Sequence, residues 1–276
     1  MKTRIISDSA MDLLPEIKER VSVVPLKVHF GEEEYLDGVT IDHNTFYEKL
    51  TSSSVLPSTS LASPEAFMKE FDKVKEAGDE AVVITISPNL SGTHQSAKIA
   101  SSYYENIYIV DSSSVAVGGG ILVELAVKLL DEGLTAKEIA EKLEEAKSKI
   151  VVLALLDTLE YLKRGGRISK TTALAGTLLN IKPLMLVLDG KIEMINKARG
   201  LKAGNALILE EAEKAGGIDF SLPCLVGYSG TTDKQMLKFK DFAAPTWETE
   251  MKYTTLGSVI GTHAGPGAVV LAFFKK

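Results

Sequence analysis

Two apolar runs, AVVITIS (81–87) and NIYIVDS (106–112), flank the segment SGTHQSAKIASSYYE, and this arrangement restricts the chain to few folds. Each run has the length and β-branched content of a buried strand, whereas Ala97, Ile99 and Ala100 between them suit a helix. A strand, a helix and a strand in that order pair in parallel, with the helix on one face of the sheet. The same alternation starts at TRIISDS (3–9), passes through the helix-start residues of SAMDLLPEIKER and reaches a second strand in VSVVPLKVHF (21–30). Two helices follow, GGGILVELAVKLLDEG (118–133) and TAKEIAEKLEEAKSK (135–149). In the latter, Thr135 and Glu138 have the spacing of a capping box, in which each side chain satisfies the other's backbone N–H.

Beyond residue 150 the pattern changes. IVVLALLDTLEYLKRGG passes from apolar strand to helix, and PLMLVLDGKIEMINKARG sets Asp189-Gly190 between two strand-like runs, a good hairpin signal. A helix over 200–216, the run PCLVGYSG, a helical span around KQMLKFKDF and C-terminal strands complete the chain. The expected fold is α/β: an N-terminal, mostly parallel sheet domain over 1–155, followed by an α+β domain over 156–276.

A net charge of −6 leaves no overall basic footprint, so nucleic acid is not an expected partner. Cys224 is the only cysteine, which excludes an intrachain disulfide, and His29, His43, His94 and His263 lack the spacing of a zinc site. Asp8 interrupts the N-terminus before any signal-peptide-like stretch, and no run approaches the ~20 apolar residues of a membrane span. A cytoplasmic protein is expected. Gly227-Tyr228-Ser229-Gly230-Thr231 misses the last glycine of the hydrolase elbow GxSxG. There is no GxxxxGK[ST] loop, and VGGGILV (117–123) lacks the last glycine of GxGxxG, so no nucleotide cofactor is expected.

Three hydroxyl-rich segments hold the candidate chemistry. LSGTHQSA (90–97) follows a strand, where ligands of open α/β sheets sit. If Ser91, Gly92 and Thr93 open a helix, their N–H groups suit an anion; the alternative is that Ser91 merely caps that helix. In LPSTSLASPEAF (56–67), Ser63-Pro64 forms a helix start, which leaves Thr59 and Ser60 without a structural task unless they are ordinary loop residues. GTHAGPG (261–267) reads as a loop presenting His263, whose imidazole N–H can donate to a carboxylate. Only five of 31 basic residues are arginine, and Arg164, Arg167 and Arg199 fall close together in the chain, which marks either an anion or partner site or a pair of solvated turns. The nearly uncharged stretch TALAGTLLNIKPLMLVL (172–188) is either core or the wall of an apolar pocket.

Taken in order, SDSAMDL (7–13), STSLASPEAF (58–67), LSGTHQSA (90–97), LKRGGRIS (162–169), KARG (197–200) and GTHAGPGAV (261–269) resemble the DegV family over nearly the whole chain. The resemblance implies a two-domain α/β carrier of a long-chain fatty acid, with the ligand between the domains and no cofactor. It further implies a non-catalytic subunit that presents the acid to a separate ATP-dependent fatty acid kinase, for phosphorylation to acyl phosphate; transient membrane contact is compatible with that work. Carried over by position, Thr59 and Ser91 hold the carboxylate with Ser60, Gly92 and His263 beside them, while Arg167 and Arg199 serve the kinase partner. One departure stands out: the family's usual TSQPS is here Thr59-Ser60-Leu61-Ala62-Ser63, so Gln and Pro give way to Leu61 and Ala62. The competing reading is a stand-alone acyl hydrolase or transferase with Ser91 as nucleophile and His263 as base. A third is a lipid sensor acting on a regulatory partner.

Overall fold

The computed structural model describes residues 1–168 and 180–276. Its first half runs β1 (Thr3–Asp8), α1 (Pro15–Lys18), β2 (Ser22–Val24), β3 (Lys27–Phe30), β4 (Glu33–Leu36), α2 (His43–Ser52), β5 (Ser58–Ser60), α3 (Pro64–Glu76), β6 (Glu80–Thr85), α4 (Thr93–Ser101), β7 (Ile107–Asp111), α5 (Val117–Asp131) and α6 (Ala136–Ala146). The second half runs β8 (Ile150–Leu155), α7 (Glu160–Arg164), β9 (Ile181–Leu188), β10 (Lys191–Arg199), α8 (Leu201–Lys214), β11 (Leu225–Tyr228), α9 (Lys234–Ala243), β12 (Tyr253–Thr255), α10 (Ser258–Ala264) and β13 (Val269–Phe274).

The expected alternation forms a parallel sheet in the order β2-β1-β6-β7. Pro25 corrects one part of the sequence reading. It has no N–H to give a ladder, so VSVVPLKVHF is two strands rather than one: β2 joins the parallel sheet, and β3 turns away into a small antiparallel sheet, β4-β3-β5. The helix expected in SAMDLLPEIKER is also only one turn, because Leu14, held extended before Pro15, delays its start. Elsewhere the local signals hold. Thr135 and Glu138 form the capping box of α6, and Ser63 accepts from Ala66 N–H at the start of α3.

The second half builds a mixed sheet, β10-β9-β8-β13-β11-β12, antiparallel except between β11 and β12. Asp189 and Gly190, both with positive φ, make the tight turn between β9 and β10 as their residue types require. Its tip rests on the loop after β6, where Asn89 Nδ2 donates to Asp189 O at 3.0 Å. Alternation along β8 divides the apolar interior: Val152 faces the large core shared with the parallel sheet, whereas Val151, Leu153 and Leu155 face the core beneath α8 and α9.

Helix α5 lies between the two larger sheets and is buried on nearly every side. Its glycines explain the GGG at its start. A Cβ on Gly118 would stand 2.3 Å from Val152 Cγ2, and one on Gly120 would stand 2.4 Å from the carbonyl oxygen of Asp12, so only hydrogen lets the sheets approach this closely.

Candidate functional site

A cavity of about 830 Å³, counting the open space at its mouth, lies where the sheets meet. Its walls are apolar: Val152, Ala154 and Leu156 along β8 and just beyond it, Met185 and Val187 from β9, Val270 from β13, Val259 and Ile260 from α10, and Ile86 and Leu90 after β6. Among the described residues, the polar lining is Thr59, Ser60, Ser91, Arg167 and His263. Thr59 and Ser60 sit on β5, a short strand rather than the loop expected from sequence; the pairing of Val28 with Thr59 aims this edge inward. His263 occupies the last turn of α10, not a loop, and the GPG that suggested one begins only at the helix's C-terminal glycine, Gly265 (φ 70°).

Two short hydrogen-bond chains end at this polar corner. In the first, His263 Nε2 lies 2.9 Å from Thr59 Oγ1. His263 Nδ1 is buried and has no partner among the described residues, and Gly165 packs against it so closely that a Cβ there would stand 2.0 Å away. An orphaned N–H costs more than an orphaned lone pair, which favours hydrogen on Nε2 and leaves the Thr59 hydroxyl hydrogen for another acceptor. In the second, Ala62 N–H donates to Thr93 Oγ1 at 3.3 Å, and Thr93 Oγ1 lies 2.9 Å from Ser91 Oγ. Ser91 Oγ also accepts from Thr93 N–H at 3.3 Å. Ser91 thus does bond the first turn of its helix, and its hydrogen too can point into the cavity. The Ala62 N–H depends on the departure noted above, since a proline at that position has none.

Burial, and then the neighbouring Arg167 guanidinium, lowers the His263 pKa to about 4, so the imidazole is neutral near pH 7. Arg167 is held over this corner by bonds from Nη1 to Gly165 O at 2.6 Å and from Nε to Leu90 O at 3.2 Å. It is therefore a lining residue as well as a candidate partner contact. Arg199 ends β10 opposite Ile181 on the exterior and does not line the cavity. Gly92 is the N-cap of α4, also outside the lining, with Leu61 so near that a Cβ would stand 2.9 Å from its Cδ2. Ser60 Oγ is 2.9 Å from His29 Nε2. His94, in the same motif as Ser91, is turned to Thr85 Oγ1 at 2.8 Å.

Sequence reasoning missed Gly165, because the Gly165-Gly166 pair suggested a turn rather than a close approach to His263. Thr93 was expected to face an anion with Ser91, and the structure instead bonds its hydroxyl to Ser91 and to Ala62 N–H. Of the stretch 172–188, the portion 180–188 lies within the described residues, and there β9 does supply cavity wall. The nucleophile–base pair of the hydrolase reading is not assembled: His263 bonds Thr59, and Ser91 bonds Thr93. Among the described residues there is no cluster of His, Cys, Asp and Glu able to hold a metal ion, and no helix long and apolar enough to cross a membrane.

Comparison with known proteins agrees over the full length. A DegV domain-containing protein of Caldanaerobacter subterraneus subsp. tengcongensis is 34% identical over 284 residues, covering 100% of this chain and 99% of its own. A solved structure described as fatty acid binding of a DegV family protein from Thermus thermophilus superposes with a TM-score of 0.88 at 31% identity, covering 99% of this chain and all of that one. A stearic acid-binding protein from Eubacterium ventriosum gives a TM-score of 0.86 at 29% identity, covering 100% and 99%. The family described as "Uncharacterised protein, DegV family" matches residues 2–276, and the chain belongs to the DegV family.

Proposed function

We propose that this protein carries a long-chain fatty acid, with the carboxylate on Thr59 and Ser91 beside His263 and the acyl chain along the apolar walls of the cavity. The observation that carries this reading is a cavity whose apolar walls end at the hydroxyls of Thr59 and Ser91, beside His263 and Arg167. A carboxylate removed from water needs several donors, because an unpaired buried charge is very costly. The two hydroxyls and the Arg167 guanidinium supply them. Each buried methylene contributes about 0.8 kcal/mol, so the chain gives most of the affinity and the head group sets orientation. Fatty-acid binding by the Thermus thermophilus and Eubacterium ventriosum relatives supports the assignment.

The finer reading is that the bound acid is presented to a separate ATP-dependent kinase. A carboxylate oxygen attacks the terminal phosphorus of ATP held by that partner, the bond to the bridging oxygen breaks, and ADP leaves with the acyl phosphate formed. This chain then contributes no reacting group, in keeping with its lack of a nucleotide loop. Arg199 on the exterior and Arg167 at the mouth face the partner, and work with cytoplasmic ATP places the carrier in the cytoplasm, with transient membrane contact for lipid exchange. Mass spectrometry of the purified protein, native and then denatured, tests the carrier reading. A fatty acid released at near one per chain is the expected result. A ligand-free mass that persists after incubation with mixed fatty acids, together with turnover of acyl esters, would favour hydrolysis instead.

A further inference from the structure

A second cavity, of about 1,050 Å³ counting the open space at its mouth, lies at the start of α10, between the loops after β1 and β4 and the end of β12. It shares no lining residue with the fatty-acid cavity. Asp12 and Asp37 line it, each only 6% exposed. Both use Oδ1 to hold α10: Asp12 accepts from Gly257 N–H at 2.7 Å, and Asp37 accepts from Ser258 N–H at 2.9 Å. The other oxygen of each, Oδ2, is shielded from water and has no partner among the described residues. The two carboxyls are neighbours, since one Cβ placed on Gly257 would stand 3.3 Å from Oδ1 of both. Helix capping accounts for one oxygen of each acid, and asparagine caps as well without a charge. It does not account for two buried acids with bare second oxygens, because an unpaired buried charge is very costly. Burial accordingly raises the pKa of both carboxyls despite their bonds to the α10 N–H groups, and the Asp37 charge raises Asp12 further.

The rest of the lining limits what can relieve these acids. Lys18 of α1 is exposed at the rim and lowers the Asp12 pKa from there, yet forms no ion pair with either acid. His43 is already engaged, with Nδ1 3.1 Å from Leu256 O and Nε2 2.8 Å from Gly230 O. Among the described residues no cluster of His, Cys, Asp and Glu can hold a metal ion. Val21, Val23 and Ile41 give the cavity an apolar wall. An anionic floor, a cationic rim and an apolar wall complement a molecule with one ammonium, one anionic group and an aliphatic part. The diverging N–H bonds of an ammonium can meet two carboxylates at once. We propose that this cavity binds a small zwitterion of the amino-acid type, with its ammonium on Asp12 and Asp37, its carboxylate on Lys18 and its side chain on Val21, Val23 and Ile41. The carboxyls turn their free oxygens towards the ammonium as it enters and give up the proton they hold to solvent. Binding therefore strengthens as pH rises, until the ligand's own ammonium deprotonates. None of this depends on the carrier reading.

The test titrates three probes by calorimetry into the whole protein: L-leucine, L-leucinol, which keeps the ammonium but not the carboxylate, and N-acetyl-L-leucine, which keeps the carboxylate but not the ammonium. Leucine is expected to bind tightest, leucinol about threefold more weakly and N-acetyl-leucine at least about tenfold more weakly. Lys18→Gln should weaken leucine about threefold and leave leucinol unchanged. Repeating the leucine titration in buffers of different ionisation heat should reveal proton release, which Asp12→Asn should reduce while keeping the acceptor for Gly257 N–H. If Asp12→Asn does not fold, the response of leucine and leucinol to Lys18→Gln still decides, because that substitution lies on the exposed rim. No binding of leucine at about 10 mM would overturn the site. N-acetyl-leucine as tight as leucine would overturn the role of the two acids, and leucinol as tight as leucine would overturn the zwitterion.

Discussion

Replacing Thr59 with valine removes one oxygen and little else. Valine keeps the branched shape, and the ladder position opposite Val28 welcomes a β-branched residue, so β5 should persist. Two effects follow from the lost Oγ1. The carboxylate forfeits a hydrogen bond to a charged group, worth ~1.5–3 kcal/mol, which predicts affinity for a saturated long-chain acid lower by roughly 10- to 150-fold. In the empty protein, His263 Nε2 loses its 2.9 Å partner while Nδ1 already has none. Leaving a buried polar group unsatisfied costs about 1–3 kcal/mol, a fall of several degrees in Tm for a chain of this size. Calorimetric titration and thermal unfolding of the ligand-free protein read the two effects separately, with Thr59→Ser as the control that restores both. A Thr59→Val protein that binds within about twofold of wild type would refute the head-group assignment, because two-fold is only ~0.4 kcal/mol.

Gly165→Ala should act through His263 alone. The backbone at Gly165 is helical (φ −70°) and accepts alanine, but the new Cβ would meet Nδ1 at 2.0 Å and push the ring from Thr59. A cost of about 1–3 kcal/mol and weaker fatty-acid binding are expected. The cost should vanish in the background of His263→Ala, and an undiminished cost there would show that the ring is not the obstacle. The pH dependence of stability supplies a separate check. His263 has its folded pKa near 4 and an ordinary value of 6.5, so the unfolded chain binds more protons between those values. That contribution is present above pH 6.5 and is lost as pH falls towards 4, by up to about 3 kcal/mol. In denaturant titrations over this range, wild type should lose stability relative to His263→Gln, and parallel curves would contradict a neutral buried imidazole.

The parallel sheet was legible because β6 and β7 are predominantly apolar runs of strand length with a helix between them, a pattern that few folds satisfy. The Asp189-Gly190 turn and the Thr135 capping box were legible because each depends on two or three adjacent residues. What escaped depended on distance. Nothing within residues 258–264 marks α10 as a helix: its N-cap, Gly257, lends no side chain, and its first N–H groups are satisfied by carboxylates more than two hundred residues away. Asp12 Oδ1 accepts from Gly257 N–H at 2.7 Å and Asp37 Oδ1 from Ser258 N–H at 2.9 Å. The three-residue strand β5 escaped for the same reason, since its partner among the described residues is β3, from a distant segment that Pro25 turns away from the parallel sheet. Among the candidate residues, five converge on the cavity although they come from distant segments.

The hydrogen bond between Thr59 and His263 joins residues 204 positions apart, and the helix that carries His263 is anchored at its start by Asp12 and Asp37. The head-group corner therefore cannot form until α10 has docked beside the strand bearing Thr59 and the loop bearing Ser91, so a folding intermediate that lacks this docking lacks the corner. Cargo that binds the finished chain, and not its incomplete forms, then shifts the final docking step by mass action, by about 2.7 kcal/mol at a hundred times its Kd. Thermal unfolding with and without added fatty acid would read that gain as a rise in Tm.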